Sequence, residues 1–158
     1  MPHVLVVDDQ PDVRAIVEIA LKEVGRYRVS TARTGDEALP VLDRDGPDLV
    51  LLDAMMPGMP SMEFALHATQ RGIPLIVMTG HPAMGETLDR LGWGYLHKPF
   101  RIGHLLAECA ATIAQSKKNL VSVRASLDRL LDNRDELARL IERSRRSVEV
   151  SHSLVGRN

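Results

Sequence analysis

Cysteine and long hydrophobic stretches are both scarce in this sequence. Cys109 is the one cysteine among 158 residues, which excludes an internal disulfide framework and suits a reducing compartment. No apolar stretch approaches the roughly 18 residues that span a bilayer, and the first residues lack the basic-then-apolar order of a signal peptide. We therefore expect a cytoplasmic protein with no membrane partner.

Strong net charge is absent as well, but the charge is unevenly distributed. The formal total is −1. Residues 1–115 contain ten Lys and Arg against fifteen Asp and Glu, whereas residues 116–158 contain ten against six. Such a weakly basic tail is poor evidence for a surface that tracks nucleic-acid phosphates, and about 40 residues leave little room for a winged helix. We expect no DNA contact and no attached DNA-binding output domain.

Short apolar runs alternate with longer segments of helical periodicity. This alternation is typical of βα units and a parallel sheet. The second and fifth runs are weaker than the other three, which places them at the sheet edges. With right-handed crossovers, this ranking favours an α/β fold in which a five-stranded parallel sheet of order 2-1-3-4-5 carries five helices. The predicted strands cover residues 4–7, 28–32, 49–52, 75–78 and 95–97.

Capping residues and prolines predict where several helices begin. Thr34 and Glu37 have the spacing of a capping box, and Pro40 should shorten or bend the helix that follows. Ser61 is predicted to cap a third helix, and Pro82 to open a fourth.

Polar side chains stand where the strands are predicted to end. Asp8 and Asp9 follow the first run, Asp53 the third, Thr79 the fourth and Lys98 the fifth. The carboxyl ends of parallel strands share one edge, where open α/β sheets build their sites. Three neighbouring carboxylates repel one another and attract a hard cation such as Mg²⁺. Asp53 stands alone at a central strand end and is the predicted phosphoryl acceptor, with Lys98 and Thr79 contacting phosphoryl oxygens. Taken singly, Asp8 and Asp9 would equally suit a helix cap.

Four ordered sequence blocks resemble the signature of the response-regulator receiver domain of two-component signalling. They are VVDD ending at Asp9, LLDAMMP around Asp53, VMTG around Thr79 and KPF beginning at Lys98, and the resemblance covers about residues 3–115. It implies a flavodoxin-like fold with a defined set of site residues. These are the phosphoacceptor Asp53, the magnesium ligands Asp8, Asp9, Asp53 and the main-chain carbonyl of Met55, the phosphoryl contacts Thr79 and Lys98, the switch residues Thr79 and Tyr95, and a cis peptide bond before Pro99.

The resemblance also implies a function and its partners. A histidine kinase or a histidine phosphotransfer protein would phosphorylate Asp53 with Mg²⁺ as cofactor, and phosphorylation would switch protein–protein interaction or dimerisation. The alternative is a phosphorelay carrier that passes the group on to a histidine phosphotransfer protein. A phosphohydrolase would need a second aspartate two residues after the nucleophile, where this chain has Met55, so we do not expect an enzyme.

Residues 117–158 are predicted to form a helical extension of a receiver domain that spans residues 1–116. Aliphatic residues recur there in three- and four-residue steps, with Arg134 and Ser144 as interruptions, like the seam of a coiled coil. This seam would support a homodimer, and the face of the fourth helix, fifth strand and fifth helix is a second candidate. Two other possibilities are a hairpin in which Asn133 caps a new helix, and a helix folded back on its own domain. The seam residues are Leu120, Val123, Leu127, Leu130, Leu137, Ile141 and Val148.

Overall fold

A parallel β-sheet forms the centre of the N-terminal part of the molecule. The structure, a computed structural model, describes the backbone of residues 1–155 and the side chains of residues 1–143. Five strands pair in parallel in the order β2-β1-β3-β4-β5, which confirms the predicted fold class and strand order. The strands are β1 His3–Val7, β2 Arg28–Ala32, β3 Leu49–Asp53, β4 Leu75–Thr79 and β5 Gly94–His97.

Helices connect successive strands. The first helix continues through a π-helical turn, Ala20–Val24, and a short 3₁₀ turn, Pro82–Met84, precedes the fourth. The helices are α1 Pro11–Ile19, α2 Gly35–Asp45, α3 Ser61–Gln70, α4 Gly85–Leu91 and α5 Ile102–Val155.

The core consists of one apolar layer on each face of the sheet. Alternate residues of a strand point to opposite faces, so Leu5 and Val7 join one layer whereas Val4 and Val6 join the other. β1, β3 and β4 are buried along their whole length, as expected for central strands covered on both faces. Helices α2, α3 and α4 supply Leu42, Phe64 and Leu88 to the first layer. The second layer receives Val17 from α1, Leu21 from the π-helical turn, and Leu105 and Cys109 from α5.

Helix α2 begins with only half of the predicted capping box. The backbone N–H of Glu37 donates to Thr34 Oγ1 at 3.3 Å. The Glu37 carboxylate, however, accepts from the backbone N–H and the guanidinium of Arg33. Pro40 lies inside this 11-residue helix and does not end it. Gly46, in the left-handed conformation at φ 49°, forms the C-cap instead.

The predicted starts of α3 and α4 need correction. Pro60 occupies the N-cap position of α3, and Ser61 makes no cap hydrogen bond. Its hydroxyl donates instead to the main-chain carbonyl of Asp53 at 2.8 Å, because α3 begins next to the end of β3. Pro82 opens the 3₁₀ turn, and α4 proper begins at Gly85.

The chain divides into two compact units, Met1–Ser116 and the segment from Lys117 onward. The second unit is helical through Asn133 as far as Val155, so the hairpin alternative is wrong. Its seam side chains from Leu120 to Ile141 are each more than half exposed. The seam position Val148 and the interruption Ser144 lie outside the described side chains, and residues 156–158 lie outside the described backbone. No helix in the described part of the chain is long and apolar enough to cross a membrane.

Candidate functional site

The polar residues predicted at the strand ends gather at one edge of the sheet. Asp8 directly follows β1, Asp53 is the last residue of β3, and Thr79 is the last residue of β4. Strand register aligns these ends, because Val7 pairs with Leu52 and Asp53 pairs with Met78. The parallel pairing therefore determines the position of the site.

Three carboxylates form the acidic part of this site. One carboxylate oxygen from each of Asp8, Asp9 and Asp53 lies within 4.8 Å of the others. Asp8 is fully buried and Asp53 is 5% exposed, whereas Asp9 is exposed. Oxygen donors with one side open to water are the ligand set that Mg²⁺ prefers, because this ion retains several waters. The residues present therefore fit a magnesium ion.

Lys98 supplies the positive charge of the site. Its Nζ donates to Asp8 Oδ2 at 2.8 Å and to Asp53 Oδ1 at 3.1 Å. The burial of Lys98 opposes its charge, but the hydrogen bonds that its ammonium donates to Asp8 and Asp53 outweigh burial and raise the pKa of the ammonium. The Lys98 backbone N–H donates to the Thr79 carbonyl at 2.8 Å, and the peptide bond between Lys98 and Pro99 is cis.

The surroundings of Asp53 disfavour the ionised form of its carboxyl. Burial, and then repulsion from Asp8, raise the pKa of its carboxyl, while the hydrogen bond from Lys98 and a backbone hydrogen bond from Met55 oppose this rise. Lys98 thus offers one positive charge to two buried carboxylates, and a divalent cation would compensate the negative charge that remains.

Asp8 and Asp9 do not cap α1. The N-cap of that helix is Gln10, which forms no side-chain cap hydrogen bond. The Asp8 carboxylate accepts from the Gln10 backbone N–H at 2.9 Å, a local turn that orients its other oxygen toward Lys98.

Thr79 and Tyr95, the two predicted switch residues, each interact with a different neighbour. The Thr79 side chain is 1% exposed, and its hydroxyl accepts from the His81 backbone N–H at 3.0 Å and donates to Met84 Sδ at 3.4 Å. The Tyr95 ring packs edge-on against His97, with 5.3 Å between the ring centroids. A Cβ added to Gly85 would lie 3.0 Å from the Tyr95 hydroxyl, so this glycine allows the phenol to approach α4.

Three further residues lie close to Asp53 or Thr79. The Met55 side chain is 73% exposed, and its backbone lies beside Asp53. Ser61 and Met84 were not predicted at the site, although they contact Asp53 and Thr79 respectively. A serine before an amphipathic segment indicates a cap, and a methionine carries no recognisable pattern, so the sequence offers no signal for either contact.

The first unit of the chain, Met1–Ser116, is similar to proteins of a known family. A family model for the response regulator receiver domain matches residues 4–110. The chain is 30% identical over 156 residues to response regulator MprA of Mycobacterium leprae (strain TN), an alignment that covers 96% of this chain and 68% of that protein. It is 36% identical over 120 residues to MprA of Mycobacterium avium (strain 104), which covers 73% of this chain and 52% of that protein. The chain thus spans about half to two thirds of the length of these relatives.

A solved structure shares the arrangement of the receiver unit. The response regulator protein TrrA from Thermotoga maritima, determined in complex with Mg²⁺-BeF, superimposes with a TM-score of 0.64 and 30% sequence identity. The superposition covers 71% of this chain and 99% of that chain.

Proposed function

The chain belongs to the response regulator receiver family, and we propose on that basis that Asp53 accepts a phosphoryl group from a histidine kinase or a histidine phosphotransfer protein. One observation carries the proposal: the Asp53 carboxylate ends a central strand with Lys98 Nζ 3.1 Å from one oxygen and two further carboxylates beside it. A nucleophile, a cation for a phosphoryl oxygen and a metal-binding set therefore meet at one point.

Each residue of the site has a proposed part in the transfer. A carboxylate oxygen of Asp53 attacks phosphorus, an O–P bond forms, and the P–N bond of the phosphohistidine donor breaks with its electron pair going to the imidazole nitrogen. Lys98 and the Thr79 hydroxyl stabilise phosphoryl oxygens. Asp8, Asp9, Asp53 and the main-chain carbonyl of Met55 would hold Mg²⁺, which neutralises charge on the transferred group when bound. Thr79 and Tyr95 then report the change as switch residues.

Signalling, rather than turnover of a substrate, is the proposed role of this chemistry. Receiver domains are signalling proteins, and the residue two positions after Asp53 is Met55, whose thioether cannot donate a proton to a leaving group. A small phosphohydrolase would need a carboxylic acid at this position. A phosphorelay carrier remains the second candidate, since the same carboxyl phosphate can return to a histidine acceptor.

Incubation with acetyl phosphate and Mg²⁺ tests the phosphoacceptor proposal. Intact mass spectrometry is expected to show a gain of one phosphoryl group, about 80 Da, in the parent protein and none in Asp53→Asn, because phosphoaspartate forms by nucleophilic attack of the carboxylate. EDTA should abolish the gain. Equal labelling of both proteins would overturn the assignment of Asp53. Rapid loss of the label to an added phosphotransfer protein would favour the carrier role.

We further propose that residues 1–116 act as the receiver domain and that the segment 117–158 takes part in the readout. From residue 117 to Val155 the structure describes a single helix, so neither a winged helix nor a helix-turn-helix lies within that range. Its exposed leucines favour association with a second copy through the coiled-coil seam, with the α4-β5-α5 face as the other candidate surface. In this proposal, phosphorylation changes dimerisation or partner binding and involves no contact with DNA.

Charge introduced into the seam tests the dimer. Leu127 and Leu130 are 54% and 65% exposed and occupy successive seam positions. The double substitution Leu127→Glu, Leu130→Glu is expected to convert a dimer to a monomer in light scattering. The seam of such a dimer would bury four carboxylates, two from each chain. Ser122→Glu is the matched control outside the seam and should leave the mass unchanged. A parent that stays monomeric with and without acetyl phosphate would contradict dimerisation through this helix.

A further inference from the structure

The Thr79 hydroxyl forms two hydrogen bonds with the loop between β4 and α4. It accepts from the His81 backbone N–H at 3.0 Å and donates to Met84 Sδ at 3.4 Å. A hydroxyl carries one proton, so a bond to the sulfur uses its only donor. Thr79 cannot donate to a phosphoryl oxygen on Asp53 until it releases Met84.

The Met84 sulfur is a suitable partner for a contact that must be exchanged. A thioether is a weak hydrogen-bond acceptor, whereas a phosphoryl oxygen is charged and forms a stronger bond. Thr79 is 1% exposed, so water does not readily replace either partner. The sulfur therefore accepts the hydrogen bond of the Thr79 hydroxyl while Asp53 is unphosphorylated. Once Asp53 carries a phosphoryl group, a phosphoryl oxygen replaces the sulfur as acceptor.

Met84 is also positioned to transmit this exchange. It ends the 3₁₀ turn Pro82–Met84 and packs, half-buried, on the same apolar layer as Tyr95. The next residue is Gly85, where an added Cβ would meet the Tyr95 phenol at 3.0 Å. A shift of the loop that carries Met84 away from Thr79 would therefore also move Gly85, against which the Tyr95 ring rests.

We propose that Met84 is a positioning residue that holds the Thr79 hydroxyl away from Asp53 in the unphosphorylated protein, and thereby sets how readily the switch responds. The proposal rests on the proposed function, because it concerns the competition between Met84 and a phosphoryl group on Asp53. Met84 itself touches no reacting atom.

Binding of beryllofluoride with Mg²⁺, a mimic of the phosphoryl group, tests this role. Titrations followed by ¹⁹F NMR compare the parent with Met84→Leu, which keeps the side-chain volume but removes the acceptor. Met84→Leu is expected to bind about threefold more tightly, because Thr79 gives up no hydrogen bond on binding. Met84→Gln introduces a stronger acceptor and should weaken binding by a similar factor.

A double-mutant cycle separates positioning from a merely structural role. In the Thr79→Ala background no hydroxyl is held, so Met84→Leu should leave the affinity unchanged. Equal effects of Met84→Leu with and without Thr79 would overturn the proposal, as would no effect in the parent background. A parent that binds no beryllofluoride, with Asp53→Asn as reference, would overturn the proposed function and this inference together. Normal binding to the parent with no coupling would overturn this inference alone.

Discussion

Replacement of Lys98 by methionine is expected to lower the free energy of unfolding by about 3 kcal/mol, because it leaves two carboxylates without their shared cation. Asp8 is fully buried and Asp53 is 5% exposed, and Lys98 Nζ lies 2.8 Å and 3.1 Å from their oxygens. Methionine keeps most of the aliphatic stem, so the effect reports the lost charge. Urea denaturation measures the change, which corresponds to a melting temperature roughly 10 °C lower.

An exposed ion pair provides the matched control for Lys98. Lys22 contacts Glu18 at 2.6 Å, but the two side chains are 47% and 33% exposed. Lys22→Met should therefore cost about 0.5 kcal/mol or less. Added Mg²⁺ should restore part of the stability of Lys98→Met, because the cation neutralises the same carboxylates. A loss for Lys98→Met no larger than that for Lys22→Met would contradict the role of Lys98 as the counterion of the site.

Replacement of Asp53 by asparagine is expected to stabilise the protein at neutral pH. Burial, and then repulsion from Asp8, raise the pKa of the Asp53 carboxyl above its ordinary value of 3.8 in the folded protein. Below pH 3.8 the carboxyl is protonated in both the folded and the unfolded chain, and its ionisation costs nothing. As the pH rises through the folded pKa, ionisation becomes costly only in the folded state, so stability is lost. Asparagine keeps an oxygen for Lys98 and removes this cost, a gain of roughly 1 kcal/mol for a partly screened repulsion.

The pH dependence distinguishes this explanation from a general stabilising effect. The advantage of Asp53→Asn over the parent should be small below pH 3.8, grow as the pH rises from 3.8 through the folded pKa, and stay constant above it, measured by urea denaturation at each pH. Asp45→Asn is a control of opposite sign, because the hydrogen bond from Arg44 lowers the pKa of the Asp45 carboxyl. In the parent protein, the contribution of ionised Asp45 to the free energy of unfolding is present above pH 3.8 and is lost as the pH falls through the folded pKa. An advantage of Asp53→Asn that does not change with pH would contradict the electrostatic origin.

The fold was predictable because its signals are local. Fully apolar runs such as 49–52 indicate strands buried on both faces, and weaker runs such as 28–32 indicate edges. The same periodicity predicted that Asp8, Asp9 and Asp53 would be neighbours, because carboxyl ends of parallel strands share an edge whatever the loops do. Capping at Ser61 was wrong since a nearby main-chain carbonyl offered its hydroxyl a better partner than the helix end.

The sequence by itself determined the α/β architecture, the strand order and the set of polar side chains at one sheet edge, because hydrophobic periodicity and the position after a strand are properties of the chain alone. Only the tertiary structure decided the partners of those side chains. Lys98 lies 90 positions along the chain from Asp8, and the two meet because β1 and β5 belong to one sheet. The Thr79 hydroxyl donates its single proton to Met84 because the fold brings that sulfur within hydrogen-bond distance. The identity of this acceptor depends on distances in space and cannot be deduced from the residue pattern.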